Sequence, residues 1–196
     1  MEMELDDEGE VMRQFRLQIQ LACRQLRRSS FQQEPNYVAA LMGKLCGMEL
    51  RSGISWLSTS VVNDRGPASA ESKFGADFAV ILESTLGVKK AVLGQAKGGD
   101  IDELPPVKKA DFFAQCTKIA ARTKHFVGLE APIEPNTMPT VRRGVWGPPV
   151  SVLASTRLDD YLVDTFVACQ HGDRRIDFVE AVKKSDLLQL RIMVAQ

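Results

Sequence analysis

Two β-favouring runs, residues 78–82 and 88–93, flank a Ser-Thr-Leu-Gly stretch that ends at Gly87. This pairing constrains the fold more than any other part of the chain. A loop of Thr85, Leu86 and Gly87, with Gly87 in the left-handed conformation such loops want, closes the two runs into a hairpin. The register then follows by counting: Ser84 faces Val88, Glu83 faces Lys89 as a cross-strand ion pair, and Asp77 faces Gln95. Side chains alternate across a strand, so Gln95 and Lys97 project from one face together with Ala91 and Leu93, while Ala96 points away. Asp77 joins that face, whose remaining residues, Ala79 and Ile81, are apolar. The spacing therefore predicts a carboxylate, an amide and an ammonium gathered at one end of two paired strands.

Helical periodicity precedes the hairpin. Met12, Phe15, Ile19, Ala22 and Leu26 recur at helical spacing through about residue 28. A second helix begins near Glu34 and Pro35, since proline suits a first turn. Tyr37, Val38, Leu41, Met42 and Leu45 form its apolar stripe and Gly47 ends it. Residues 53–62 read as a strand, followed by a turn over 63–67. Beyond the hairpin, residues 107–124 read as a helix, 126–129 and 150–154 as strands, 158–169 as a helix and 187–194 as a closing strand. Residues 131–149 hold five prolines and read as a loop or a pair of edge segments, the best candidate for a mobile flap. Strands interleaved with helices make the class α/β, with one central mixed sheet flanked by helices. Residues 1–30 form an acidic leader and amphipathic helix, and 31–196 the globular domain.

A chain of 196 residues suits one domain and buries roughly two thirds of its unfolded surface without a staple. Cys23, Cys46, Cys116 and Cys169 lack the spacing of a zinc knuckle or a redox pair, and read as buried or semi-buried thiols of a reducing compartment. Residues 1–10 are acidic and carry no signal-peptide pattern, and no apolar run reaches the roughly 20 residues of a membrane span. The expectation is a soluble cytoplasmic protein with no membrane partner. Lys and Arg total 25, as do Asp and Glu, a balance that speaks against a generally basic nucleic-acid binder but leaves a local basic site open.

Asp77, Gln95 and Lys97 together suit phosphodiester hydrolysis. A hard cation such as Mg²⁺ takes the Asp77 carboxylate and the Gln95 amide oxygen as ligands. It polarises a phosphoryl oxygen and lowers the pKa of a bound water, while Lys97 orients that water and neutralises developing charge. The stretches Gly-Ala-Asp-Phe at 75–78 and Gln-Ala-Lys at 95–97 resemble the PD-(D/E)XK, or restriction-endonuclease-like, nuclease superfamily, with Gln95 where an acid is usual. Glu-Ser-Lys-Phe-Gly-Ala-Asp and Val-Leu-Gly-Gln-Ala-Lys extend the likeness to a group of bacterial proteins with this core, over roughly 34–129. The resemblance implies a restriction-endonuclease-like core, Mg²⁺ or Mn²⁺ as cofactor, and DNA as substrate in restriction, repair or defence. It also implies that a helical glutamate joins the metal site, and Glu34 is the position that fits. Glutamine removes one negative charge, so metal affinity should fall; Glu71 compensates as a further ligand or instead pairs with Lys73.

Lys108, Lys109, Lys118 and Arg122, joined by Lys124, Arg142, Arg143, Arg174 and Arg175, could line a groove that follows a phosphate backbone, or lie scattered on the surface. Trp56 reads as core and Trp146 as a loop anchor, either of them able to stack on a base. His125 reads as a helix-end or core histidine and His171 as a turn residue. The alternatives to an enzyme are a catalytically inactive, nuclease-like nucleic-acid-binding or regulatory module, and a protein-interaction domain. A homodimer would allow both strands of DNA to be cut.

Overall fold

The computed structural model describes residues 2–62, 74–134 and 136–195, with side chains from Asp7 onward. Helix α1 (Glu2–Arg24) and, after a single 3-10 turn, helix α2 (Glu34–Leu45) lead into strands β1 (Glu49–Ser52) and β2 (Ser55–Val62). The hairpin β3 (Phe78–Ser84) and β4 (Lys89–Gly98) follows, then helix α3 (Pro106–Ala120) and strand β5 (Phe126–Ala131). Strands β6 (Thr140–Val145) and β7 (Ser151–Arg157) precede a short helix α4 (Leu158–Asp160) that runs directly into a π-helical segment, Tyr161–Val167. Helix α5 (Ile176–Lys183) and strand β8 (Leu188–Ala195) complete the order.

All eight strands form one mixed sheet in the order β1-β2-β8-β3-β4-β5-β6-β7. The hairpin has the register expected from its turn: Phe78 pairs with Gly94 and Glu83 with Lys89, and the Glu83–Lys89 ion pair spans 3.5 Å. Gly87 sits at φ +84°, where a side chain would be strained. Strand β4 pairs in parallel with β5 through the α3 crossover, and β3 pairs in parallel with β8.

Strict alternation divides the core in two. Phe78, Val80, Leu82, Val92 and Ala96 pack with α1, α2 and the π-helical segment, whereas Ala79, Ile81, Ala91 and Leu93 pack with α3 and α5. Each large side chain removed from water on these faces contributes roughly 1.5–3 kcal/mol. The largest of them, Phe15 and Tyr37 on one side and Phe112 and Phe126 on the other, anchor both helical layers. Among the described residues no helix is long and apolar enough to cross a membrane.

Several sequence expectations are corrected. Residues 140–145 form an inner strand rather than a loop or edge segment, paired on one side with β5 and on the other with β7. The prolines bracket the Thr-Val-Arg-Arg-Gly-Val run without interrupting its ladder, and Val141 is buried. The acidic leader belongs to α1, since acidic residues favour the positive end of the helix dipole. Helix α3 stops at Ala120, so Lys124 lies in the following loop. Strand β1 and helix α5 had no counterpart in the sequence reading, although Phe178, Val179 and Val182 give α5 its apolar stripe. Cys46 is exposed, while Cys23 and Cys116 are buried and Cys169 is partly so. The expected turn over 63–67 lies outside the described residues.

Candidate active site

Asp77 enters the site from a segment pressed against α3. Gly75 has φ +71°, and a Cβ there would stand 2.8 Å from Lys118 Cβ and 3.2 Å from the Gln115 carbonyl oxygen. Only glycine combines that backbone with that approach. The tight passage delivers Asp77 to the head of β3, where its amide donates to the Gly94 carbonyl at 2.9 Å. Its Oδ2 accepts from the Ala96 amide at 2.8 Å and from Gln95 Nε2 at 2.5 Å. The carboxylate thus completes the β3–β4 ladder where backbone carbonyls run out.

Gln95 is 2 % exposed, and among the described residues its Oε1 has no hydrogen-bond partner. Buried polar atoms are rarely left so, because an unmade hydrogen bond forfeits about 1–3 kcal/mol of desolvation. Lys97, two residues on and on the same face, is half-buried, and its Nζ donates to Gln115 Oε1 on α3 at 3.0 Å. Asp77, Gln95 and Lys97 are therefore brought to one face of one strand pair, as the register required.

Glu34 stands elsewhere. A Cβ on Gly98 would lie 3.0 Å from Glu34 Oε1, and by alternation that is the face opposite Gln95 and Lys97. Its carboxylate faces Arg28 Nη2 at 3.5 Å. Glu71 lies outside the described residues. Lys118 borders the Asp77 approach from the last turn of α3, and Arg122 lies in the turn just after that helix. Lys109 is held by Asp102, 3.2 Å from its carbonyl and 3.6 Å from its Oδ1, and Lys108 is exposed at the start of the same helix.

Beside the site lies a second polar cluster with no counterpart in the sequence reading. Glu130, aligned with Lys97 in β5, is 5 % exposed and accepts from Ile101 N at 2.9 Å, from Arg142 Nε at 2.6 Å and from the Thr140 hydroxyl. Arg142 reaches on to Asp102 at 2.6 Å and Asp100 at 2.9 Å, so it is committed to carboxylates and does not face a phosphate groove. Gln115 was also missed. Its signal in the sequence is its spacing from Lys118, three residues on, which aligns the two on one stripe of a helix.

Chemically, Asp77 and Gln95 offer two hard oxygen donors, one of them an amide oxygen with no partner among the described residues, and Lys97 offers a charge close by. Among the described residues no group of three or more histidine, cysteine or acidic side chains is arranged to hold a metal, so any ion here would lean on waters and on substrate oxygens. Comparison of the chain with protein-family models, with curated proteins and with solved structures gives no match.

Proposed function

We propose that this chain is a Mg²⁺- or Mn²⁺-dependent nuclease, built on a restriction-endonuclease-like core and hydrolysing phosphodiester bonds in DNA. One observation carries the reading. Asp77 and Gln95 touch at 2.5 Å at a strand end, Lys97 projects from the same face, and among the described residues the buried Gln95 Oε1 has no partner. An orphan oxygen beside a carboxylate fits a divalent ion as it fits few other occupants.

Asp77 and Gln95 would hold the ion, which when bound supplies a polarised phosphoryl oxygen and a water of lowered pKa. Lys97 brings an ammonium to the rim, where it orients the attacking water and offsets charge that grows on the phosphate. Gln115 fixes that ammonium through its amide oxygen. Glu34 approaches from the other face of β4 and is not part of the metal-holding pair. Restriction, repair or defence against foreign DNA are the settings the resemblance implies.

Gln95 in place of an acid, a neutral ligand that weakens metal binding, favours a second reading, in which the fold binds nucleic acid without turnover. A nicking assay on supercoiled plasmid with Mn²⁺ separates the two. Cleavage that EDTA and Lys97→Ala both abolish supports the enzyme. Binding without cleavage at saturating Mn²⁺ supports the module.

A further inference from the structure

Away from Asp77, at the end of the sheet where β5 begins, the loops after α3 and β6 and before α5 enclose a cavity of about 450 Å³. Its walls carry Arg122, Lys124, His125, Trp146, Asp173 and Arg175. Asp173 is spoken for: Arg175 lies 2.7 Å from its Oδ2 and the Thr123 hydroxyl donates to the same oxygen at 2.8 Å. Its charge is cancelled, which leaves Arg122 and Lys124 as the net charge of the cavity. Burial holds the His125 imidazole below its usual range, and its Nδ1 accepts from Gly172 N at 3.3 Å, so near neutral pH it adds a donor rather than a charge.

Trp146 is 55 % exposed, unusual for a residue of this size. The Lys124 ammonium sits 4.7 Å from its ring centroid, a contact that steadies the indole without covering it. The cavity also connects to the candidate site. Gln115 and Lys118 lie on α3 and Arg122 in the turn just beyond its end: the first bonds Lys97, the second flanks the Asp77 approach at Gly75, and the third lines the cavity. Among the described residues neither the Lys118 ammonium nor the Arg122 guanidinium is engaged in an ion pair.

We infer that the Arg122–Trp146 cavity is a nucleotide subsite for single-stranded nucleic acid, with Lys118 in the last turn of α3 and Arg122 just beyond it carrying the strand's phosphates between the cavity and the Asp77–Lys97 rim. An exposed indole gives a base a face to stack on, and the two uncancelled cations take the backbone, which is the arrangement sequence-independent single-strand binding requires. A duplex keeps its bases stacked on one another and has none to offer the ring. The inference rests on the proposed function only in taking nucleic acid as the substrate.

The test is binding in EDTA, so that turnover plays no part. The full chain, with Lys97→Ala to exclude cleavage, is titrated with a fluorescent oligothymidylate and with a duplex of the same length. Trp146→Ala should weaken the single strand at least about fivefold and the duplex less than about twofold, while Trp146→Phe, which keeps an aromatic face, restores most of the loss. Arg122→Ala should lower the slope of log affinity against log salt by about one phosphate contact. In a Trp56→Phe background, the oligothymidylate should quench the remaining tryptophan fluorescence. Unchanged single-strand affinity in Trp146→Ala, or an equal loss for the duplex, overturns the subsite. Failure of the nuclease reading appears separately, as absence of plasmid nicking by the unsubstituted chain.

Discussion

Two polar clusters sit side by side on the α3 face of the sheet, and they are finished differently. Around Glu130, the carboxylate oxygens accept from Ile101, Thr140 and Arg142, and Arg142 carries the network out to Asp100 and Asp102 at the surface. Around Asp77, the carboxylate is well held, yet among the described residues nothing donates to the neighbouring buried Gln95 Oε1. The first cluster ties the exit of β4 to β5 and β6. The second keeps one strong acceptor in reserve, which is what a site that receives an ion or a substrate needs.

That contrast can be broken most severely at Arg142. Arg142→Met should cost about 3–5 kcal/mol in urea unfolding, because it strands a buried Glu130 carboxylate; a loss under 1 kcal/mol would make the two clusters equivalent. Lys97→Ala should instead leave the urea midpoint nearly unchanged while lowering the nicking rate about 10²–10³-fold. Lys90, seven residues before Lys97 on the same strand, sharpens the point from the other direction. It is fully buried, its ammonium held by the carbonyls of Phe166 and of His171, the latter at 3.1 Å, and desolvation brings its pKa down to about 8. The native state therefore takes up that proton less readily than the unfolded chain. Stability should rise from about pH 8 toward 10.5 by something of order 3 kcal/mol, and the slope should vanish in Lys90→Met. Next in size, Mn²⁺ at about a hundredfold above its Kd should stabilise the chain by about 2.7 kcal/mol in a thermal-shift measurement, and should not stabilise Gln95→Leu. Smallest is Gln115→Ala, expected to lower kcat about tenfold at unchanged KM, the mark of a residue that positions Lys97 rather than binding substrate.

The hairpin was legible because its constraints are local. A glycine-terminated loop and strict alternation settle the register, and with it the neighbours of Asp77, Gln95 and Lys97. What escaped depends on partners far apart in the chain. Arg142 reads as a free cation until β6 is laid against β5, and Glu130 reads as the polar end of a strand until Ile101 and Arg142 arrive to meet it. Glu34 had the right residue type on the right helix, yet α2 packs over the Ala96 and Gly98 face, where alternation turns Gln95 and Lys97 away. His171 does lie in a bend as expected, but it is buried there, its Nδ1 paired with the Tyr161 hydroxyl of the π-helical segment at 2.8 Å.

The position of β8 has a consequence for when this protein becomes capable of anything. The strand that separates β2 from β3 is the last of the described strands in chain order, so during synthesis β3 lacks its parallel neighbour until residues 188–195 have been made. Pairings that wait on such distant segments form slowly. A hairpin whose own register is settled locally therefore waits on the most distant described strand before the free edge of β3 is covered.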